Sequence, residues 1–271
     1  MTGSRTPVRS AIGADRSSSD WTVIVRNLSK LFPGVRALDD VSVSIKASEV
    51  TALLGQNGAG KSTLIQIMAG IHPAGSYSGA IELNGRVYRP TGVAEAERAG
   101  VVLVPQEVSI VPEMTVAENI CLNGDPAWWG FIDLGRRLAR AGEALRDFGL
   151  DVDPRAEMAS LDLATQQLVV IARALSKRLT LLILDEPTAA LTERESSRLF
   201  DRIRSLKARG VAVIFVSHRL TEVFSIADRI IVMRDGRVRG DHLAENVSRA
   251  DVVAEMLGDA PGEAPSRASH K

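Results

Sequence analysis

The chain has 271 residues, 45% of them apolar, and its 33 Lys and Arg balance 33 Asp and Glu. That length can bury a large core as one elaborate domain or two lobes, and a net charge of zero gives no argument for a nucleic-acid or anionic-membrane surface. No uncharged apolar run approaches the roughly 18 residues of a membrane span, and the lone Cys121, between Ile120 and Leu122, reads as a buried thiol in a reducing, cytoplasmic setting.

Residues 1–20 carry scattered apolar residues, no signal-peptide core, and the composition of a disordered tail. Val23-Ile24-Val25 is a strand candidate, and Pro33-Gly34 marks a turn. Val41-Ser42-Val43-Ser44-Ile45 alternates as a half-buried strand does, and the apolar run Val50-Thr51-Ala52-Leu53-Leu54 follows. Next comes Gly55-Gln56-Asn57-Gly58-Ala59-Gly60-Lys61-Ser62-Thr63, then a helical pattern from Leu64. Strand, glycine-rich turn and helix form the context of a phosphate-binding loop. The glycines let backbone N–H groups converge on one point, and the helix aims its free first-turn amides at the same place. Lys61 adds a positive charge for β- and γ-phosphates, and the Ser62 hydroxyl is placed to ligate Mg²⁺. The chain therefore reads as a binder of a nucleoside triphosphate.

Beyond this helix, a turn-rich link over residues 70–79 leads to the strand pattern Ala80-Ile81-Glu82-Leu83. The first lobe thus mixes antiparallel strands with a parallel nucleotide core. Val101-Val102-Leu103-Val104 is an apolar strand candidate ended by Pro105-Gln106-Glu107. Residues 114–122 and 134–150 have helical spacing, and residues 108–175 read as a helical insertion with few strand signals. Trp128-Trp129 within it read as a local cap on the helical core in preference to a partner site. Leu179-Thr180-Leu181-Leu182-Ile183-Leu184 is a continuous apolar run suited to a strand covered on both faces, and Asp185-Glu186 end it. A charged helix over 193–209 precedes the strand Val211 to Val216, ended by Ser217-His218. Ile230 to Met233 with the turn Asp235-Gly236 then close the fold, and residues 258–271 read as another loose tail.

The phosphate loop, Gln106, Asp185-Glu186 and His218 each follow an apolar strand. In a parallel sheet they would share one carboxyl edge, where open α/β sheets bind ligands. Asp185 suits Mg²⁺, directly or through water. Glu186 beside it suits the base that polarises an attacking water, and His218 a contact to the γ-phosphate.

This set resembles the ATP-binding-cassette (ABC) ATPases over roughly residues 21–257. Their order of motifs is phosphate loop, glutamine loop, signature, Walker B with its glutamate, and switch histidine. Here it is matched by Gly55–Thr63, Gln106, Leu161–Gln167, Leu181–Glu186 and His218. The resemblance implies an α/β fold: a P-loop NTPase (RecA-like) core with an antiparallel β subdomain and an inserted α-helical subdomain. It places Phe32 on the adenine and Ser62, Gln106 and Asp185 around Mg²⁺, with His218 orienting Glu186, the water and the γ-phosphate. ATP is the implied nucleotide. Two cassettes would sandwich it head to tail, and each signature would complete the other's site.

Finer wording, Phe32-Pro33-Gly34-Val35-Arg36-Ala37-Leu38, Thr115-Val116-Ala117-Glu118-Asn119-Ile120, Glu186-Pro187-Thr188-Ala189-Ala190-Leu191-Thr192 and Ser217-His218-Arg219-Leu220, is similar to the cassettes of monosaccharide importers. The long turn His72-Pro73-Ala74-Gly75-Ser76-Tyr77-Ser78-Gly79 is similar to their xylose and multiple-sugar branch. The implied partners are a second cassette, membrane permease subunits and an extracytoplasmic sugar-binding protein, with no nucleic acid. The implied place is the cytoplasmic face of the membrane, as a peripheral subunit.

Two departures stand out. Those importers usually fuse two cassettes, and this chain holds one, so a second chain, a second copy or a missing segment must supply the other. The signature Leu161-Asp162-Leu163-Ala164-Thr165-Gln166-Gln167 departs from Leu-Ser-Gly-Gly-Gln, and Asp162 stands where a serine would bond the partner's γ-phosphate. Asp is a good helix N-cap, so the expectation is a normal local structure and a weakened site in the partner. The competing readings are a regulatory ATP-binding module with little turnover and a soluble ABC ATPase acting on DNA or ribosomes. The absence of a long coiled coil or a basic patch disfavours the last.

Overall fold

The computed structural model describes residues 21–122, 127–128 and 131–258. In chain order its elements begin with β1 (Trp21–Phe32), β2 (Val35–Lys46), β3 (Val50–Leu54), α1 (Lys61–Met68), β4 (Ser78–Leu83), β5 (Arg86–Val87), α2 (Val93–Arg98) and β6 (Val101–Val104). The middle contains α3 (Val116–Cys121), β7 (Ala127–Trp128), β8 (Phe131–Ile132), α4 (Leu134–Phe148) and α5 (Leu163–Leu175). The last part holds β9 (Leu181–Asp185), α6 (Glu193–Ala208), β10 (Ala212–Val216), α7 (Leu220–Ile226), β11 (Arg229–Arg234), β12 (Arg237–Leu243) and α8 (Arg249–Leu257).

A six-stranded sheet of order β12-β11-β3-β10-β9-β6 forms the centre. Its four pairings from β11 to β6 are parallel, and β12 alone pairs antiparallel. The apolar runs follow from coverage on both faces. Leu182, Leu184, Val213, Phe215, Ile230 and Val232 face a core shared with α5, α6 and α8. Their neighbours Leu181, Ile183, Ala212, Ile214, Val216 and Ile231 face α1 and the four-stranded antiparallel sheet β2-β1-β4-β5. A third cluster joins Val116, Ile120, Ala141, Leu145, Met158 and Val169 across α3, α4 and α5. Helix starts are fixed locally: Thr115 and Thr192 form capping boxes with Glu118 and Glu195.

Two features differ from the sequence expectation. The chain does not close at Asp235-Gly236; β12 and α8 follow. In β12 only Gly240 is buried, so no apolar alternation announces it. The middle portion includes the short hairpin β7–β8. The expected tails lie outside the described residues apart from Gly258, as do Trp129 and the Trp128 side chain. Cys121 is buried, as its neighbours imply. Among the described residues no helix is long and apolar enough to cross a membrane.

Candidate functional site

The loop after β3 is shaped by backbone contacts that only glycine permits. At Gly55 a Cβ would run into the Met233 carbonyl oxygen, and at Gly60, φ 99°, it would lie 2.6 Å from the Ala37 carbonyl oxygen. Gly60 is also the N-cap of α1 and brings no side-chain acceptor. The first-turn amides of α1 therefore face the loop interior, an arrangement suited to an anion. Two of the three Lys61 N–H donors go to Gly55 O at 2.7 Å and Gln56 O at 3.0 Å. This folds the ammonium over the loop. Burial pushes the Lys61 pKa down, and the charges of Glu186 and Asp185 pull it back up.

Those carboxylates arrive from β9. Register places Val216 opposite Asp185 and Leu53 opposite Val216, so the ends of β3, β10 and β9 are level along one edge. Asp185 has its pKa raised by burial first and by Glu186 second, with Lys61 acting the other way. Glu186 adopts φ 49°, a left-handed backbone rare for a long side chain. Its N–H donates to Val216 O at 3.0 Å. Its carboxylate meets His218 Nδ1 at 2.9 Å; Glu186 is 14% exposed there and His218 71%.

The structure thus brings the Gly55–Thr63 loop with Lys61 together with Asp185, Glu186 and His218, while Gln106, Phe32 and Leu161–Gln166 lie on other elements. Gln106 is exposed just beyond β6, the strand beside β9. Phe32, at the end of β1, is half-exposed and packs edge-on against His72 at 5.4 Å, with Lys30 Nζ 5.0 Å from its ring. Leu161–Gln166 form the entry to α5. The Asp162 carboxylate caps that helix, accepting from Thr165 N at 2.7 Å. This bond leads the causes that lower the Asp162 pKa. Gln166 Nε2 donates to Met158 O at 2.9 Å and Leu161 O at 3.0 Å, and Leu163 is exposed. Ala164 and Thr165 are half-buried.

Ser62 Oγ, the Gln106 amide oxygen and the Asp185 carboxylate are hard oxygen donors of the kind Mg²⁺ takes. Among the described residues no group of three or more His, Cys, Asp or Glu could hold a metal alone. A cation here would need phosphate oxygens as well, the usual state of Mg²⁺ at a nucleotide. The adjacent carboxylates, whose repulsion contributes to the rise at Asp185, leave negative charge for such an ion to offset. Sequence reading did not single out Glu222, whose carboxylate bonds Thr188 and Ser217. The only sequence signal was an acidic residue in the first turn of α7.

Comparison with known proteins adds the following. The ABC transporter family model matches residues 38–189. The xylose import ATP-binding protein XylG of Thermoanaerobacter pseudethanolicus is 41% identical over 93% of this chain and 50% of its own length. XylG of Moorella thermoacetica is 43% identical over 86% of this chain and 46% of its own length. A Hahella chejuensis protein named for ribose, galactose and methyl galactoside import is 42% identical over 93% of this chain and 48% of its own length. The chain spans about half the length of these curated relatives. Among solved structures, the ADP conformation of an ATP-binding cassette of an ABC transporter superposes with a TM-score of 0.73 at 28% identity, covering 88% of this chain and 99% of that one.

Proposed function

The chain belongs to the ABC transporter family, and on that premise we propose that it is the ATP-binding and ATP-hydrolysing cassette of a monosaccharide importer. The sugar assignment leans on relatives named for xylose import and for ribose and galactose import. Residues 21–257 would be the cassette, and 108–175 its helical subdomain. The other half of the assembly would be a second cassette, with permease subunits and an extracytoplasmic sugar-binding protein completing the system. The subunit would sit peripherally on the cytoplasmic membrane face.

One observation carries the hydrolytic reading: Glu186 Oε2 and His218 Nδ1 meet at 2.9 Å on the sheet edge that holds the Lys61 loop and Asp185. Phosphoryl transfer to water needs positioning and charge stabilisation more than covalent chemistry. The Gly55–Thr63 amides and Lys61 would bind the β- and γ-phosphates, and Phe32 the adenine. Glu186 would take the proton of the water attacking the γ-phosphorus, and His218 would hold that carboxylate and touch the γ-phosphate. Ser62, Gln106 and Asp185 would hold Mg²⁺, which when bound neutralises phosphate charge. The test is turnover of MgATP by the purified chain with and without Glu186→Gln, alongside co-purification with membrane proteins. Loss of turnover with retained ATP binding supports the reading; wild-type turnover in Glu186→Gln removes it.

A second reading, an ATP-binding module with little turnover, is favoured by Asp162. This exposed carboxylate, its pKa lowered by the cap, stands where the signature serine of the family would meet the partner's nucleotide. In this reading the site that this α5 completes in its partner would be slow.

A further inference from the structure

His218 is 71% exposed beside a Glu186 that is 14% exposed. An imidazole so open has little packing to hold it, so the backbone on either side must fix its place. Both sides lead to one carboxylate. Ser217 Oγ donates to Glu222 Oε2 at 3.2 Å and accepts from the Arg219 N–H at 3.1 Å. Arg219 Nη1 donates to Glu222 Oε1 at 3.1 Å.

The Glu186 side reaches the same group. Thr188 Oγ1, two residues past Glu186, donates to Glu222 Oε2 at 2.7 Å. Thr188 is 1% and Ser217 2% exposed, so water cannot readily replace a lost acceptor. The Glu222 side chain is 12% exposed and lies in the first turn of α7, where the helix dipole favours negative charge. Between these anchors Glu186 holds φ 49°, a backbone state that persists only when its surroundings over-determine it.

We propose that Glu222 is a positioning residue for hydrolysis: it clamps the turn carrying Glu186 to the turn carrying His218 and so sets the contact between them. The proposal rests on the hydrolytic role of that pair. Glu222 touches neither group through its side chain and acts through Thr188, Ser217 and Arg219.

The test uses the full chain with Glu222→Ala and Glu222→Gln. Gln keeps a side-chain oxygen for the two hydroxyls and gives up the charge paired with Arg219. In Glu222→Ala, kcat for MgATP falls on the order of 10²-fold, the scale of a roughly 1 Å misplacement, while KM and ATP affinity hold. The imidazole resonances of His218 shift, and those of His72 and His242 do not. Glu222→Gln keeps the His218 resonances and most of the turnover. Unmoved His218 resonances in Glu222→Ala, or equal damage by Gln and Ala, overturn the proposal. If Glu222→Ala does not fold, Thr188→Val removes one donor without a large change of shape and predicts the same shift. Glu186→Gln separates the two levels: wild-type turnover there defeats the hydrolytic reading, whereas the His218 resonances judge the clamp itself.

Discussion

The carboxyl edge of the central sheet and the N-terminus of α5 each present an aspartate, and the fold treats the two in opposite ways. Asp162 serves its own helix: the Thr165 N–H bonds its carboxylate and lowers its pKa. Asp185 gains no such help. Burial and Glu186 raise its pKa, and only the charge of Lys61 opposes them. A charge that its own chain stabilises is a structural part, and one held against the preference of the fold marks a place that expects a ligand. At the α5 entry Asp162 and Leu163 stand exposed, while the sheet edge is assembled from three strand ends and a loop that tolerates no side chain at Gly55.

The largest effect comes from breaking the edge itself. Glu186→Gln removes the proposed base and leaves the phosphate loop intact. Turnover is expected to fall by about 10²–10⁴-fold, with ATP binding retained in an equilibrium titration. A drop of similar size from Leu163→Ala, at the exposed α5 entry, would erase the distinction between the two regions within one chain.

Stability sharpens the same contrast. Gly58→Ala meets nothing within 4 Å and bears only the left-handed backbone penalty, about 1–2 kcal/mol. Gly60→Ala adds an overlap with the Ala37 carbonyl oxygen and is expected to lose more. Leu163→Ala, at a position 58% exposed, is expected to stay within about 0.5 kcal/mol of the parent. Urea unfolding of the three variants gives the order.

The two aspartates also predict opposite pH behaviour around the ordinary carboxylate value of 3.8. A raised folded pKa means that the contribution of Asp185 to stability is complete below 3.8 and is lost as pH rises through its folded value. Asp185→Asn should therefore raise the unfolding midpoint at neutral pH, leave it unchanged below 3.8, and flatten the profile between. A lowered folded pKa reverses the sign for Asp162. Its contribution is present above 3.8 and is lost as pH falls through its folded value, so Asp162→Ala should be less stable at neutral pH and converge with the parent in acid. Thermal midpoints across both windows test the pair.

These contrasts were only partly legible in the sequence. The edge was readable because β3, β9 and β10 are covered on both faces, which makes β9 and β10 apolar runs ended by Asp185 and Ser217, and makes β3 a mostly apolar run ended by Gly55. The Asp162 cap was readable because capping is local. Strand β12 was not, since its only buried residue is Gly240, and α8 was not, with Val252 its only buried residue. Glu222 was invisible for another reason. Its partner Thr188 lies 34 positions away, and they meet because β9 and β10 are neighbours in the sheet. Contacts made by topology leave no spacing to read.

The smallest effect is the most discriminating for the α5 entry. Ser caps a helix about as well as Asp, so Asp162→Ser should leave the unfolding midpoint of the chain unchanged, whereas Asp162→Ala lowers it. If the carboxylate is only a cap, turnover of the assembled transporter is also unchanged. If it weakens the partner's site, as the proposed second reading holds, removing its charge and supplying a hydroxyl restores one of two sites, and turnover rises by at most about twofold. The stability result fixes the interpretation: with the cap preserved, any gain in turnover must arise from what α5 presents outward to the other cassette. A flat turnover in Asp162→Ser would leave Asp162 as a structural residue and the two regions of this chain would differ in packing alone.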